Sequence, residues 1–192
     1  METFKELPVL LFATQPDWRA WLEENHTQPQ GLWLKHAKKS SGKTSVSYQE
    51  ALEEALCYGW IDSQKQAYDE DYFLQKFTPR GSKSVWSKIN VAKTEALIKS
   101  ERMQPAGLAA INAAKQDGRW QAAYDSQSSN KIPEDFLAEL NKNPKAKHFF
   151  GTLDKANVYA YSWRIQTAKK PETREARIRK FIDMLNQGQK LH

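Results

Sequence analysis

Strand-like patterns occupy only the first part of this 192-residue chain, and every pattern after residue 78 is helical. Residues 31–38 alternate moderately between apolar and polar side chains after a Gln-Pro-Gln-Gly turn, which is typical of a strand. Two more strands are predicted at residues 63–68 and 72–78, on either side of an acidic turn. This order predicts an α+β fold: a small mixed or antiparallel sheet with helices in the N-terminal half, and an all-helical C-terminal half.

Two helices in the first half carry clear start signals. A capping residue, an early proline and a first-turn acid predict a helix over residues 14–25. Ser47 and Glu50 form an S-x-x-E capping box before apolar residues at helical spacing, and Gly59 is placed to end that helix. Further helices are predicted at about 85–101, 105–117, 133–142, 144–150, 154–168 and 172–186.

The polar stretch 125–131 has no large apolar side chain and is the best predicted domain boundary. It divides the chain into an α+β domain (1–124), a linker (125–131) and a C-terminal helical region (132–192). We expect the α+β domain to carry the candidate pocket described below, and the helical region to pack on that domain.

Several functional classes are excluded by composition. Cys57 is the only cysteine, and none of the four histidines has a second histidine or a cysteine at ligand spacing. No disulfide, metal site or cofactor is therefore predicted. No apolar run approaches the roughly 20 residues that a membrane-spanning helix requires, and no signal-peptide pattern is present. We expect a cytoplasmic protein without membrane insertion, and the sequence predicts no particular oligomeric state.

The densest group of candidate binding residues follows the last predicted strand. A helix is predicted to start near Ser84, which places Trp86, Ser87 and Asn90 on one side of its first turn. Amide groups at a helix start attract anions, and Arg80 in the preceding loop would reinforce this attraction. The segment therefore predicts a pocket for a small anionic or polar ligand. The alternative is that Ser84 only caps the helix, Trp86 packs in the core and Arg80 is solvated.

Further features of the first half bear on chemistry. Trp60 and Asp62 are predicted to contribute to the same pocket, although Asp62 could also pair with Arg80 or be an ordinary turn carboxylate. Cys57 is predicted to be unreactive, because a helix C-terminus and nearby glutamates oppose the thiolate. The loop 38–43 lacks the G-x-x-x-x-G-K-[ST] frame, so it is predicted to be a solvated turn and not a phosphate loop.

The formal net charge of +6 is unevenly distributed. Residues 76–102 and residues 164–180 each contain seven cationic residues and two glutamates. Such segments favour anionic partners such as nucleic acid, or they are two solvated helix faces. The C-terminal cations are spread around their predicted helix, and no aromatic residue lies between Arg174 and Lys180 to stack on a base. No specific nucleic-acid partner is therefore expected.

Taken together, several motifs are similar to those of a known family. They include Trp18-x-x-Trp-Leu, Gly31-Leu-Trp-Leu, Glu50-Ala-Leu-Glu-Glu-Ala-Leu-Cys-Tyr-Gly-Trp-Ile-Asp62, Phe77-Thr-Pro-Arg80, Ser84-Val-Trp-Ser-Lys-Ile-Asn90 and Thr173-Arg-Glu-Ala-Arg-Ile178. On these motifs the chain, from about Phe12 to Gly188, resembles the bacterial YdeI/OmpD-associated family. The resemblance implies a link to bacteriocin protection and to an outer-membrane porin. It carries over no enzymatic activity, cofactor or catalytic residue.

Three functions are open at this point. The first is a cytoplasmic protein that binds a small anionic or polar ligand and acts in stress or antimicrobial resistance. The second is an enzyme of unknown reaction that uses the same pocket, with Asp62 or Glu50 as acid or base. The third is nucleic-acid contact through the two basic segments. A carboxylate with a perturbed pKa facing the pocket would favour the enzyme, and a continuous basic face would favour nucleic acid.

Overall fold

The computed structural model describes residues 2–125, 131–168 and 170–191, so residues 126–130 of the predicted linker lie outside the described residues. Within this part of the chain the predicted α+β class is confirmed, because a mixed sheet forms near the N-terminus and helices alone follow it. The strands are β1 (Thr3–Phe4), β2 (Leu7–Leu10), β3 (Leu32–Ala37), β4 (Trp60–Ala67) and β5 (Tyr72–Pro79). The helices are α1 (Gln15–Asn25), α2 (Tyr48–Cys57), α3 (Lys88–Lys99), α4 (Pro105–Gln116), α5 (Glu134–Lys142), α6 (Pro144–Gly151), α7 (Lys155–Gln166) and α8 (Pro171–Asn186).

The sheet has the strand order β1-β2-β3-β5-β4. Strands β2 and β3 are parallel, with Val9 opposite Trp33, and all other neighbouring pairs in this order are antiparallel. A parallel pair needs a crossover connection, and α1 supplies it between β2 and β3. Strand β4 begins three residues before the predicted position, because residues 60–62 also pair with β5.

Helices α1 and α2 begin where the sequence predicts, because local hydrogen bonds fix both starts. The Ser47 hydroxyl accepts a hydrogen bond from the Glu50 N–H (3.3 Å), and the Glu50 carboxylate accepts one from the Ser47 N–H (2.9 Å). Thr14 and Asp17 form the same reciprocal pair at the start of α1. Each capping box satisfies amide groups that a helix start leaves without intrahelical partners.

The chain divides into two compact units. The first consists of Met1–Ser84 and Ala92–Gly118, and the second of Val85–Val91 and Arg119–His192. The first unit contains the sheet, and the second contains helices α5 to α8.

The main core of the first unit lies between one face of the sheet and helices α1 and α2. The Trp18 ring of α1 lies 5.7 Å from the Phe77 ring and 6.5 Å from the Trp60 ring, measured between centroids. Its indole N–H donates to the Ala51 carbonyl oxygen of α2 (3.0 Å). All three rings are fully buried. Each removes roughly 150–250 Å² from water, so these aromatic side chains are major contributors to the stability of the first unit.

The core of the second unit is built from the helices alone. Tyr161 of α7 lies 5.1 Å from the Phe181 ring of α8 and 6.2 Å from the Phe136 ring of α5. Four apolar residues at helical spacing on α8 are all buried in this cluster. They are Ile178, Phe181, Ile182 and Leu185.

Candidate functional site

The candidate pocket residues are divided between the two units. Those in the first unit are Trp60, Asp62, Arg80 and Ser84, and those in the second are Trp86, Ser87 and Asn90. Trp60 is fully buried and its indole N–H donates to the His26 carbonyl oxygen (2.8 Å). Trp86 is only 2% exposed and packs against Trp120 with 4.8 Å between the ring centroids. The joint role of the seven residues in ligand binding stays a prediction.

The helix after this segment starts later than predicted, at Lys88 instead of near Ser84. The reason is an extended pairing: Ser87 forms a parallel bridge with Tyr124, and the Trp86 carbonyl oxygen accepts a hydrogen bond from the Tyr124 N–H (3.0 Å). Trp86 therefore precedes the helix and does not lie in its first turn. The Ser87 hydroxyl accepts from the Asn90 N–H (3.2 Å), so Ser87 makes the capping contact that was expected of Ser84.

The two carboxylates weighed as acid or base have clear structural contacts. The Tyr48 hydroxyl donates to Asp62 (2.8 Å). Glu50 belongs to the capping box of α2, and its hydrogen bonds with Ser47 lower the pKa of its carboxyl group. A general acid needs a raised pKa to hold its proton at neutral pH, so the shift at Glu50 disfavours that role.

Cys57 is buried at the C-terminal end of α2. Burial, and then the negative charge of Glu54, raise the pKa of its thiol to about 11. Helix α4 packs closely here, since a Cβ atom on Gly107 would clash with the Cys57 carbonyl oxygen. Burial and the negative charge of Glu54 both oppose thiolate formation. The low reactivity of Cys57 towards alkylating reagents stays a prediction.

A cleft of about 650 Å³ opens in the first unit, at the end of the sheet where β3 ends and β5 begins. We call it the basic cleft. It is lined by residues 36–39 and 42–48 together with Lys65 and Phe73. The loop between β3 and α2 forms one wall and is held by two hydrogen bonds: the Val46 N–H donates to the Phe12 carbonyl oxygen (2.9 Å), and the Ala37 N–H donates to the Ser45 hydroxyl (2.8 Å).

The charge of the basic cleft is positive. Its lining includes Lys38, Lys39, Lys43 and Lys65, and within the described part of the chain no carboxylate lines it. The Lys38 ammonium group donates to the Asp69 backbone carbonyl (2.7 Å). The Lys43 ammonium group lies 3.9 Å from the Asp71 carboxylate, and this exposed ion pair is weak. Four ammonium groups around one depression attract small anions.

His36 is the buried polar residue of the basic cleft. It is 2% exposed, and its ring stacks on Phe73 with 5.2 Å between centroids. Its Nδ1 lies 2.9 Å from the Val46 carbonyl oxygen, whereas Nε2 is buried without a hydrogen-bond partner among the described residues. Burial lowers the pKa of His36, the Val46 contact opposes this effect, and the nearby charge of Lys65 lowers the pKa further.

An irregularity in β4 brings Lys65 to the basic cleft. Asp62 lies opposite Phe77, but Lys65 lies opposite Gln75, so β4 contains one extra residue between them. Without this bulge Lys65 would lie opposite Leu74, whose side chain projects from the other face of the sheet. The bulge instead places Lys65 on the face of His36, where its ammonium group lies 4.1 Å from the Phe73 ring centroid.

Sequence reasoning missed the basic cleft because its residues come from three separate segments. The loop 38–43 was predicted to be a solvated turn, since it matches no phosphate-loop pattern. The available signal was the concentration of lysines between 35 and 43, directly after a predicted strand that contains His36. Lys65 gave no signal, because its position depends on the bulge.

Comparisons with known protein families match two separate regions of the chain. A family model described as a domain of unknown function, DUF8412, matches residues 10–110, which is more than half of the chain. The chain belongs to the DUF8412 family. Residues 130–188 match a second model, described as "Bacteriocin-protection, YdeI or OmpD-Associated", so the resemblance to that family is confirmed at the C-terminal part. Searches of curated proteins and of solved structures found no match.

The two matches assign most of the quoted motifs to a different family from the one that they resemble. Of the quoted motifs, only residues 173–178 lie within the YdeI/OmpD-associated match. The earlier motifs lie in the DUF8412 region, which also contains the whole basic cleft. Among the described residues, no helix has both the length and the apolar character needed to cross a bilayer.

Proposed function

We propose that this DUF8412 protein binds a small anionic ligand in the basic cleft. The observation that carries the proposal is the combination of four lysines with a buried histidine whose Nε2 has no partner within the described structure. Lysines alone are common on solvated surfaces. A buried acceptor without a partner destabilises the folded protein, and a bound ligand can relieve that penalty.

The walls of the basic cleft suit a ligand of limited size. Its volume of about 650 Å³ falls within the range of small-molecule sites. Tyr48 and Phe73 supply aromatic surface, and Ser45 and Ser47 supply hydroxyl groups close to the lysines. The start of α2 adds little, because the Ser47 hydroxyl and the Glu50 carboxylate already accept hydrogen bonds from the amide groups there. Anion attraction therefore rests on the lysine side chains.

We place this binding in the cytoplasm and in a stress or antimicrobial-resistance response. The bacteriocin-protection description of the C-terminal family supports that cellular role. The experiment that tests the binding is calorimetric titration with inorganic phosphate, pyrophosphate and citrate, at constant ionic strength set with potassium chloride. We expect saturable binding of at least one of these anions.

The double variant Lys39→Met, Lys65→Met should weaken that binding about ten-fold or more, because a charge-assisted hydrogen bond contributes roughly 1.5–3 kcal/mol. The matched control is the double variant Lys145→Met, Lys147→Met, which removes two exposed lysines from the second unit and should leave the affinity unchanged. Absence of binding beyond the chloride background, or an equal loss in the control, would contradict the proposal.

The residues singled out by the sequence make a competing prediction for the same ligand class. Arg80→Gln removes a cation that does not line the basic cleft. If the ligand binds at the basic cleft, this variant should retain the wild-type affinity. A loss as large as that of the double variant would instead favour the pocket predicted around Arg80, Trp86 and Asn90.

A further inference from the structure

His36 has a defined protonation pattern in the basic cleft. Its Nδ1 faces the Val46 carbonyl oxygen at 2.9 Å, and a carbonyl oxygen can only accept a hydrogen bond. Nδ1 must therefore carry the proton. In a neutral imidazole the other ring nitrogen is then an acceptor, so Nε2 presents a lone pair and not an N–H group.

The orientation of this acceptor is fixed by packing. Phe73 stacks on the imidazole with an interplanar angle of 25°, and the Tyr48 ring lies edge-on with 6.2 Å between centroids. Together with the Val46 hydrogen bond, these contacts hold the ring in one orientation. Nε2 therefore stays an acceptor on a residue that lines a cleft whose charged side chains are all lysines.

We propose that the basic cleft selects oxyanions that carry a hydrogen-bond donor, such as hydrogen phosphate, and that His36 is the residue that makes this selection. The inference rests on the proposed anion binding and adds the class of anion. The lysines attract any small anion. Only an anion with its own O–H group also satisfies Nε2, whereas a fully deprotonated oxyanion would place an oxygen lone pair against the lone pair of His36.

Access to Nε2 requires side-chain movement, because the atom is covered in this structure. Lys65 is the neighbour best suited to move. Its ammonium group contacts the Phe73 ring, and its stem has several rotatable bonds. An arriving anion would draw that ammonium group towards itself and open the path to the imidazole.

Phosphate and sulfate provide the test, because they share size and tetrahedral shape. At about pH 8 both are mainly dianions and a histidine of lowered pKa is neutral, so the two probes differ chiefly in the one O–H group of hydrogen phosphate. Calorimetry on the full chain should give a phosphate affinity roughly ten-fold or more above the sulfate affinity. Equal affinities, or tighter binding of sulfate, would overturn the inference while leaving the proposed anion binding intact. If neither anion binds above the chloride background, both fail together.

The variant His36→Asn separates the preference for phosphate over sulfate from the general attraction of anions by the lysines. An asparagine amide can replace the Nδ1–H group facing Val46, but it has no acceptor at the position of Nε2. We expect phosphate affinity to fall to that of sulfate, and sulfate affinity to stay within about two-fold of wild type. A phosphate preference that persists in this variant would assign the selection to another residue.

The wild-type protein gives a second readout that does not depend on how the variant folds. The ¹⁵N chemical shifts of His36 distinguish a protonated from an unprotonated Nε2. Addition of phosphate should shift the Nε2 resonance as expected for an acceptor that gains a hydrogen bond, with the proton remaining on Nδ1. Protonation of Nε2 on phosphate binding would contradict the inference, because the ring would then be a donor that accommodates sulfate equally well.

Discussion

The two units each contain a cleft of similar volume, yet the two clefts differ in kind. The basic cleft of the first unit measures about 650 Å³, and a cleft of about 550 Å³ lies between α5 and α8 in the second unit. We call the latter the acidic cleft. Its lining includes four carboxylates, one arginine, one asparagine and the apolar side chains of Ile178 and Ile182. The carboxylates are those of Asp135, Glu139, Glu175 and Asp183.

The difference between the clefts lies in what their polar groups already bind. In the acidic cleft, Asp135 accepts two hydrogen bonds from Arg174 (2.6 and 2.9 Å), and Glu139 pairs with Lys142 (2.6 Å). Among its described residues, none has a buried side-chain atom without a partner. The basic cleft has one, His36. A charged depression is therefore an ordinary surface feature, and the buried atom without a partner is the more specific sign of a ligand.

The largest expected effect is a loss of stability in the second unit that leaves phosphate binding at the basic cleft unchanged. Phe136→Ala removes a fully buried ring that packs against Phe150 and Tyr161. The free energy of unfolding should fall by about 3–5 kcal/mol, because a large cavity remains. Urea denaturation measures this loss. Phosphate affinity measured on the folded variant should remain within about two-fold of wild type. A ten-fold loss of affinity without unfolding would show that the two regions are coupled.

Charge reversal tests whether charge alone makes the difference between the clefts. Lys39→Glu with Lys65→Glu should reduce phosphate affinity more than ten-fold, because attraction becomes repulsion. The reciprocal change, Glu175→Lys with Asp183→Lys, should not create a second phosphate site, because the acidic cleft offers no buried acceptor. Calorimetric stoichiometry provides the measurement. Two phosphates per chain in the reciprocal variant would mean that positive charge is sufficient.

Asp135 gives a smaller, pH-dependent effect on stability. The Arg174 guanidinium holds the pKa of this carboxyl group below its ordinary value. A carboxyl with a lowered folded-state pKa stabilises the protein above its unfolded-state pKa of about 4, and this contribution is lost as the pH falls through the folded-state pKa. The pair is partly exposed, with 45% of the Asp135 side chain accessible, so the contribution should be no more than about 1 kcal/mol.

The measurement is urea unfolding of Asp135→Asn and wild type at neutral pH and at about pH 2.5. The wild type should be the more stable of the two at neutral pH, and the difference should shrink as the pH falls below the unfolded-state pKa. Glu139→Gln is the matched control, since its partner Lys142 is a more exposed cation on the same helix. A difference that is equally large at both pH values would assign the stabilisation to something other than the ion pair.

Local signals in the sequence predicted the elements well, and non-local pairing set the limits. The capping box of Ser47 and Glu50 fixed the start of α2 because its groups are three residues apart. The start of α3 was predicted too early because Ser87 pairs with Tyr124, which is distant in sequence. Helix propensity at residues 84–87 depends on local sequence only, so it could not predict that extended pairing.

The candidate site was harder to predict for the same reason. His36 and the lysines of the loop 38–43 are visible in the sequence, but their meaning depends on Lys65. That lysine reaches the basic cleft only because β4 carries an extra residue between Asp62 and Lys65. A one-residue change of register reverses the face of every following side chain, and no local pattern marks this bulge. The pairing of Tyr48 with Asp62 was likewise invisible, whereas the sequence suggested Arg80 as a partner.

The smallest expected effect is on nucleic-acid binding. If the cations of the second unit bound the phosphates of an oligonucleotide, the difference between the two units would be smaller than described. In the segment 164–180, Arg174 already binds Asp135 and the Ile165 carbonyl oxygen, and Arg177 donates to the Arg164 carbonyl oxygen. These guanidinium groups are directed at their own unit. Electrostatic binding to oligonucleotides at low salt is still expected from the net charge of +6. It should collapse as salt rises from about 50 to about 200 mM, because it would come from phosphate contacts alone.

Fluorescence titrations with single-stranded and duplex oligonucleotides across that salt range would measure the effect. Lys180→Met, which neutralises an exposed cation of α8, should change the binding at 200 mM by less than the error of the measurement. Free inorganic phosphate, by contrast, should lose less affinity than an oligonucleotide over that range, because it contacts only the few lysines of the basic cleft and its hydrogen bond with His36 is not screened. Submicromolar oligonucleotide affinity that survives at 200 mM, with a strand or sequence preference and a clear loss in Lys180→Met, would show that the cations of the second unit also form a binding surface. The contrast between the basic cleft and the already paired charges of the second unit would then no longer hold.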